Sequence, residues 1–146
     1  MASWRQGGCL HVGGREHPDA VAYHRTADAF RAGDMETLAA LFDEEVVWHI
    51  PGNNRLAGDI HGRDALWRWF ERLREVTDGT FKLEDHDVLA TDDHVVALNV
   101  MSAVRDGVRI SVNMANVMHF RDGRQQERWF HPSDLSAWDR LLGGYM

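Results

Sequence analysis

One histidine in this chain stands where a side chain could move protons. His49 lies inside the apolar run 46–50, beside Trp48 and directly before Pro51-Gly52. An imidazole, with an ordinary pKa of about 6.5, exchanges protons near neutral pH. Walled by apolar side chains, such a base can remove a proton alpha to a carbonyl. Three amides, Asn99, Asn113 and Asn116, interrupt apolar, strand-like sequence further on. A buried amide can hold a developing oxyanion, or it can satisfy another buried polar group. Asn113 and Asn116 differ in parity, so a strand sends at most one of them into a given cavity. Met114 and Met118 share the parity of Asn116 and suit a malleable apolar wall or ordinary core. The same alternation sets Trp48 against His49. If Trp48 is the inward residue, His49 cannot serve a cavity.

A second cluster, Trp129, His131 and Asp134, follows the last strand-like segment. An aspartate near a histidine orients the ring, but Asp134 also suits the N-cap of a short terminal helix. The turn at Asp122-Gly123 decides which side chains point inward. A two-residue turn favours Trp129 and His131; a three-residue bulged turn favours Arg128 and Phe130. Nine histidines invite a metal, yet they are scattered, with no His-x-x-x-His pair and no cysteine pair. We therefore expect neither a metal site nor a cofactor. No glycine-rich phosphate loop with a Walker lysine is present, and no serine or cysteine carries a nucleophile signature.

These residues must be positioned by one domain, since 146 residues with 44% apolar side chains suffice for a single core. Residues 1–16, with two glycine pairs, read as a flexible arm, and 17–146 as the folded domain. His17-Pro18-Asp19 opens a helix that Gly33 ends, and Asp34 caps a second whose apolar face is Met35, Leu38, Leu41 and Phe42. A short strand, 46–50, and a polar loop, 51–60, come next. The helix 64–76 has Leu66, Trp69, Phe70, Leu73 and Val76 at a 3.6-residue period. Four strand-like segments then meet at Thr91-Asp92-Asp93, Asp106-Gly107 and Asp122-Gly123, which reads as an antiparallel meander. Helices followed by such a sheet make an α+β domain, and a bent sheet around helices encloses an apolar pocket.

Charge and cysteine content narrow the partners. A net charge of −7 without clustered lysine or arginine opposes nucleic acid and anionic membrane. The single cysteine, Cys9, fits a reducing cytoplasm, and no segment reads as a membrane span or signal peptide.

Several segments resemble the SnoaL-like, ketosteroid-isomerase-like branch of the NTF2-like superfamily. They are Phe30-Arg31-Ala32-Gly33-Asp34, the stretch 41–52, and Gly58-Asp59-Ile60-His61-Gly62-Arg63-Asp64-Ala65. The tail Phe120-Arg121-Asp122-Gly123-Arg124 with Trp129-Phe130 completes them. The resemblance spans about residues 18–142 and implies a cone: a curved antiparallel sheet wrapped around N-terminal helices, enclosing a pocket and usually dimeric. It implies no single function, since the family holds polyketide cyclases, isomerases, dehydratases, epoxide hydrolases and non-catalytic members. By position, the isomerase base matches His49 and the oxyanion-holding acid matches Asn116. The oxyanion tyrosine falls near Thr26, with Tyr23 one turn away, so steroid isomerisation itself is not expected.

The resulting expectation is a cofactor-free enzyme that moves protons on an apolar carbonyl compound, by isomerisation, aldol-type cyclisation or dehydration. His49 and Asn116 are the catalytic candidates. Tyr23, Trp48, Trp69, Asn99, Met114, Met118, Trp129 and His131 are the candidates for binding substrate. The alternative is a non-catalytic binding or dimerisation module. A homodimer through the outer sheet face, with Arg109, Ser111, Asn113 and Gln126 supplying polarity, is expected in either case.

Overall fold

A computed structural model describes residues 17–144 of the protein. The expected arm 1–16 and Cys9 lie outside the described residues. Helix α1 (Pro18–Ala32) starts where His17 Nδ1 accepts from the Asp19 backbone N–H, and stops at Gly33, whose φ of 68° is left-handed. Asp34 caps α2 (Met35–Leu41) through the Thr37 N–H. Strand β1 (Phe42–Ile50) follows without a linker. Phe42, expected on the helix face, is instead the first buried residue of the strand. Its apolarity serves either assignment, which is why the boundary was misread.

The stretch expected to be loop as far as residue 60 contains a short strand, β2 (Gly58–His61), paired antiparallel with β1. Four residues without period-2 apolar alternation leave no sequence signal. Helix α3 (Arg63–Val76) buries Leu66, Trp69 and Leu73. Strands β3 (Lys82–Ala90), β4 (Val95–Arg105), β5 (Val108–Arg121) and β6 (Arg124–Pro132) form the meander, and α4 (Leu135–Leu141) closes the chain. Asp134 caps α4 through the Ala137 N–H at 3.0 Å.

The six strands among the described residues belong to one curved sheet in the order β2-β1-β6-β5-β4-β3. Every pairing is antiparallel except β1 with β6. The helices pack on its concave face, giving an α+β cone. Among the described residues no helix is long and apolar enough to cross a membrane.

The two aspartate-glycine hairpins are tight. Asp106-Gly107 and Asp122-Gly123 all have positive φ, between 51° and 77°. Two such residues in succession match the right-handed twist of the flanking strands. The β5–β6 hairpin then departs from a regular ladder. Phe120 pairs with Gln125, but His119 pairs with Glu127, so Gln126 is an extra residue in β6. Before this bulge Gln125 points inward; after it Arg128 and Phe130 do. The turn has two residues, as one alternative required, yet the inward pair is the one expected from the other. The parity change occurs inside the strand, not at the turn.

Candidate functional site

Alternation on β1 places Val46, Trp48 and Ile50 on the concave, buried side. Trp48 and Trp69 meet edge to face, and Phe42, Phe70 and Phe130 pack around Trp48. The indole N–H groups of Trp48 and Trp69 donate to Gln125 Oε1 at 2.7 Å and to the Leu56 carbonyl at 3.0 Å. Between these rings and α1 lies a cavity of about 40 Å³. Its walls include Phe30, Phe42, Trp48, Trp69, Phe70 and Phe130, with Met101 and Trp138 beside them. At this volume a ligand larger than a few waters must displace side chains. Outside it, an open groove of about 1080 Å³ runs between the C-terminal end of α1, α3 and β3. Phe30, Phe70, Leu73, Phe81 and Leu83 line both spaces. Phe30 touches Phe70 and Phe81 edge to face, so these three rings are the partition.

Three polar side chains reach this apolar space: Tyr23, Thr26 and Arg128. Thr26 donates its hydroxyl back to the Ala22 carbonyl, as helix threonines do. Tyr23 and Arg128 belong to a buried polar chain. The Tyr23 hydroxyl donates to Asp85 Oδ1 at 2.8 Å and accepts from Asn99 Nδ2 at 3.3 Å. Asn99 Oδ1 accepts from Asn116 Nδ2 at 3.1 Å. Asn116 Oδ1 accepts from Arg128 Nη2 at 2.8 Å and Nε at 3.2 Å. Asp85 Oδ2 meets Arg31 Nη2 at 3.0 Å near the surface. A continuous line of hydrogen bonds therefore joins a surface ion pair to a cation in the core.

Burial pushes the Tyr23 hydroxyl above the ordinary tyrosine range, against the pull of Arg128 and with the help of Asp85. Tyr23 thus stays protonated and donates. Burial likewise draws Arg128 below the ordinary arginine value, with Tyr23 and Asp85 opposing it. A guanidinium keeps its charge all the same. It packs over Phe130 and Trp48, 4.6 and 4.8 Å from the ring centroids, an arrangement that offsets part of its lost hydration.

The sequence candidates fall into three groups. Tyr23, Trp48 and Trp69 line the cavity. Asn99, Asn116, Met114 and Met118 are fully buried on the same sheet face but stand behind the lining. The two amides position Tyr23 and Arg128; Met114 fills the main core, and Met118 packs in the smaller cluster around Tyr23. His49, Trp129 and His131 are on the opposite face. His49 is not beside the cavity, because Trp48 occupies the inward position of β1, and the expected convergence of His49 with Asn116 does not occur. Trp129 and His131 point outward because of the bulge at Gln126.

On that outer face His49 has company of its own. Its Nδ1 lies 2.8 Å from Asp59 Oδ1, its Nε2 lies 2.6 Å from Glu127 Oε2, and its ring stacks on Trp129. Burial opposes the charged ring, but the hydrogen bonds to Glu127 and Asp59 outweigh it and hold the pKa above the ordinary histidine value. Among the described residues no group of three histidine, cysteine or acidic side chains could hold a metal.

Sequence reasoning passed over Asp85 and left Arg128 open. Arg128 was one of two options for the last strand, and a bulge whose only trace is Gln125-Gln126 decided it. Asp85 sits in a polar, mostly acidic run, Lys-Leu-Glu-Asp-His-Asp, where no apolar pattern singles it out.

Comparison with known proteins is consistent across sequence and structure. The family model described as the SnoaL-like domain matches residues 23–128. An uncharacterised protein of Mycobacterium tuberculosis, Rv0034, is 32% identical over 107 residues, covering 73% of this chain and 82% of that protein. The structure of Bal32a, from a soil-derived mobile gene cassette, superposes with a TM-score of 0.81 at 40% identity, over 86% of this chain and 96% of Bal32a. An NTF2-like protein of Burkholderia xenovorans shares the fold at 17% identity, with a TM-score of 0.74 over 86% of this chain and 96% of its own.

Proposed function

Because this chain belongs to the SnoaL-like family of the NTF2-like superfamily, we propose that it is a cofactor-free enzyme acting on a small apolar carbonyl compound held in the cone. The reaction class is proton transfer: isomerisation, aldol-type cyclisation or dehydration. One observation carries the reading: Tyr23 and Arg128 meet in an otherwise apolar cavity, and one hydrogen-bonded chain ties both to Asp85.

In this reading His49 gives up the role of base. The proton alpha to the substrate carbonyl passes to the Tyr23 oxygen as the hydroxyl proton of Tyr23 moves to Asp85 Oδ1. Charge develops on the carbonyl oxygen as the enolate forms, and Arg128, set in place by Asn116, stabilises it. Returning the proton to a different carbon gives isomerisation; attack of the enolate on a second carbonyl gives cyclisation. The partition Phe30–Phe70–Phe81 admits substrate from the groove and then excludes water. A homodimer formed by the outer sheet face, and a cytoplasmic setting, are part of the same proposal.

The test is hydrogen–deuterium exchange at the alpha carbon of apolar ketones and 1,3-diketones, followed by NMR. Asp85→Asn and Tyr23→Phe should each slow exchange by about 10²–10⁴-fold. A second reading, a binding module without catalysis, draws support from the small volume of the cavity. Exchange no faster than buffer with the wild-type protein would leave that second reading standing.

A further inference from the structure

The cavity treats donors and acceptors unequally. Arg128 is 4% exposed, yet the arginine–carboxylate pairs among the described residues involve Arg31 and Arg63, not Arg128. Its hydrogen bonds from Nε and Nη2 both end on a neutral amide oxygen. Asp85 lies beyond Tyr23 and Asn99 and spends one carboxylate oxygen on Arg31 at the surface. A buried cation so weakly balanced is expensive, because desolvation is repaid only by an anion or by excellent polar contacts.

A second, independent observation comes from α4. Trp138 is fully buried and lines the same cavity, and its indole N–H has no acceptor among the described residues. A buried orphan donor is rare in a settled core. The hydroxyls at the cavity are neutral and their protons are spent, that of Tyr23 on Asp85 and that of Thr26 on Ala22, so neither supplies a charge to balance Arg128. The site therefore holds one excess positive charge, and one residue of its wall carries an indole N–H unpaired among the described residues. It lacks negative charge.

We infer that the ligand of this cavity is an apolar organic acid, carrying an ionised oxygen (a carboxylate, or the enolate or phenolate of an acidic carbonyl compound) that pairs with Arg128 and draws the Trp138 N–H. The inference rests on the cavity being the ligand site, as proposed above, and names the ligand class; of its members, an enolate enters the cyclisation step directly with Arg128 on the same oxygen, whereas a carboxylate is a bound ligand that takes Arg128 for itself. A neutral ketone would leave the cation uncompensated until the transition state. An acid compensates it on binding, and the aromatic walls take the skeleton. The anion must be attached to an apolar body, because inorganic anions would forfeit the wall contacts and keep the cost of leaving water.

Three probes separate the possibilities: 2-naphthoate, its neutral isostere 2-naphthamide, and an aryl 1,3-diketone titrated across its own ionisation. Binding is followed by quenching of tryptophan fluorescence and by calorimetry. The naphthoate should bind at least about tenfold tighter than the naphthamide. The diketone should bind as its enolate if the acidic carbonyl class is the true one. A preference for carboxylate alone assigns the carboxylate class. Arg128→Gln keeps a donor for Asn116 but removes the charge, and it should abolish the preference while still binding the naphthamide. Arg128→Met is the companion should the glutamine variant fold poorly. Equal affinity for acid and amide, survival of the preference in both variants, or no binding of any acid overturns the inference. These outcomes are independent of the exchange experiment: a binder of acids without catalysis satisfies this test and fails that one, and exchange on neutral ketones without acid preference does the reverse.

Discussion

Arg128 Nη2 donates to Asn116 Oδ1 at 2.8 Å, so the most deeply placed cation of the sheet is held by an amide and not by a carboxylate. The arrangement keeps the charge available while fixing its position, since Asn116 is itself tied to the Ala97 carbonyl and to Asn99.

Replacing Asn116 by leucine should leave the guanidinium without its acceptor. We expect a loss of roughly 1–3 kcal/mol in unfolding free energy, read by urea denaturation. The double variant Asn116→Leu/Arg128→Met should recover part of that loss, because the buried charge and its acceptor leave together. A double variant less stable than Asn116→Leu alone would contradict the assignment.

The outer-face triad predicts a pH signature. Burial alone would lower the folded-state pKa of His49, but Glu127 and Asp59 outweigh it and hold the pKa above the ordinary histidine value. A raised pKa contributes stability that is fully present below the unfolded value and lost as pH rises through the folded one. Wild-type and His49→Gln should therefore differ most below about pH 6.5, and the difference should shrink at higher pH. Unfolding measured in parallel across that range reads it; a constant difference would count against the triad.

Opening the partition should change rates more than affinity. Phe81 lines both cavity and groove and touches Phe30. Phe81→Ala is expected to speed association of 2-naphthoate by roughly tenfold if displacement of the rings limits binding. Stopped-flow fluorescence resolves this, and an unchanged association rate would move the way in elsewhere.

The sheet's convex face should close on a second copy. Val96, Leu98, Val100 and Val117 lie on it, only half-buried within one chain. Val117→Arg should shift sedimentation from dimer to monomer at micromolar concentration. A wild-type protein that sediments as monomer up to the millimolar range falsifies the dimer.

Much of the architecture could be read before any coordinates. Gly33, Asp34 and Asp134 announce helix ends by chemistry that acts over three residues, and Asp-Gly pairs announce hairpins in the same local way. The wall residue Trp69 follows from the helical period. The catalytic assignment to His49 did not survive, because alternation says that two neighbours part company and not which of them goes inside. That choice is made by packing: Trp48 meets Trp69, Phe42, Phe70 and Phe130, and no polar ring could replace that surface. Asp85 and Arg128 were hidden for another reason. They reach Tyr23, Asn99 and Asn116 from strands far apart in sequence, and a hydrogen-bond chain across four strands and a helix has no local pattern.

The bulge at Gln126 carries a consequence for how such a cavity acquires its preference. Were β6 to pair regularly from its turn onward, Glu127 would stand opposite Met118, where Arg128 stands now, and Trp129 would follow it inside. The interior would then hold a carboxylate where it holds a guanidinium, with no residue of the strand exchanged. Which charge faces the cavity is thus stored as a register, one residue deep, rather than as the identity of a side chain. Relatives that gain or lose a single position in this hairpin would invert the polarity of their cavities without any substitution in the walls.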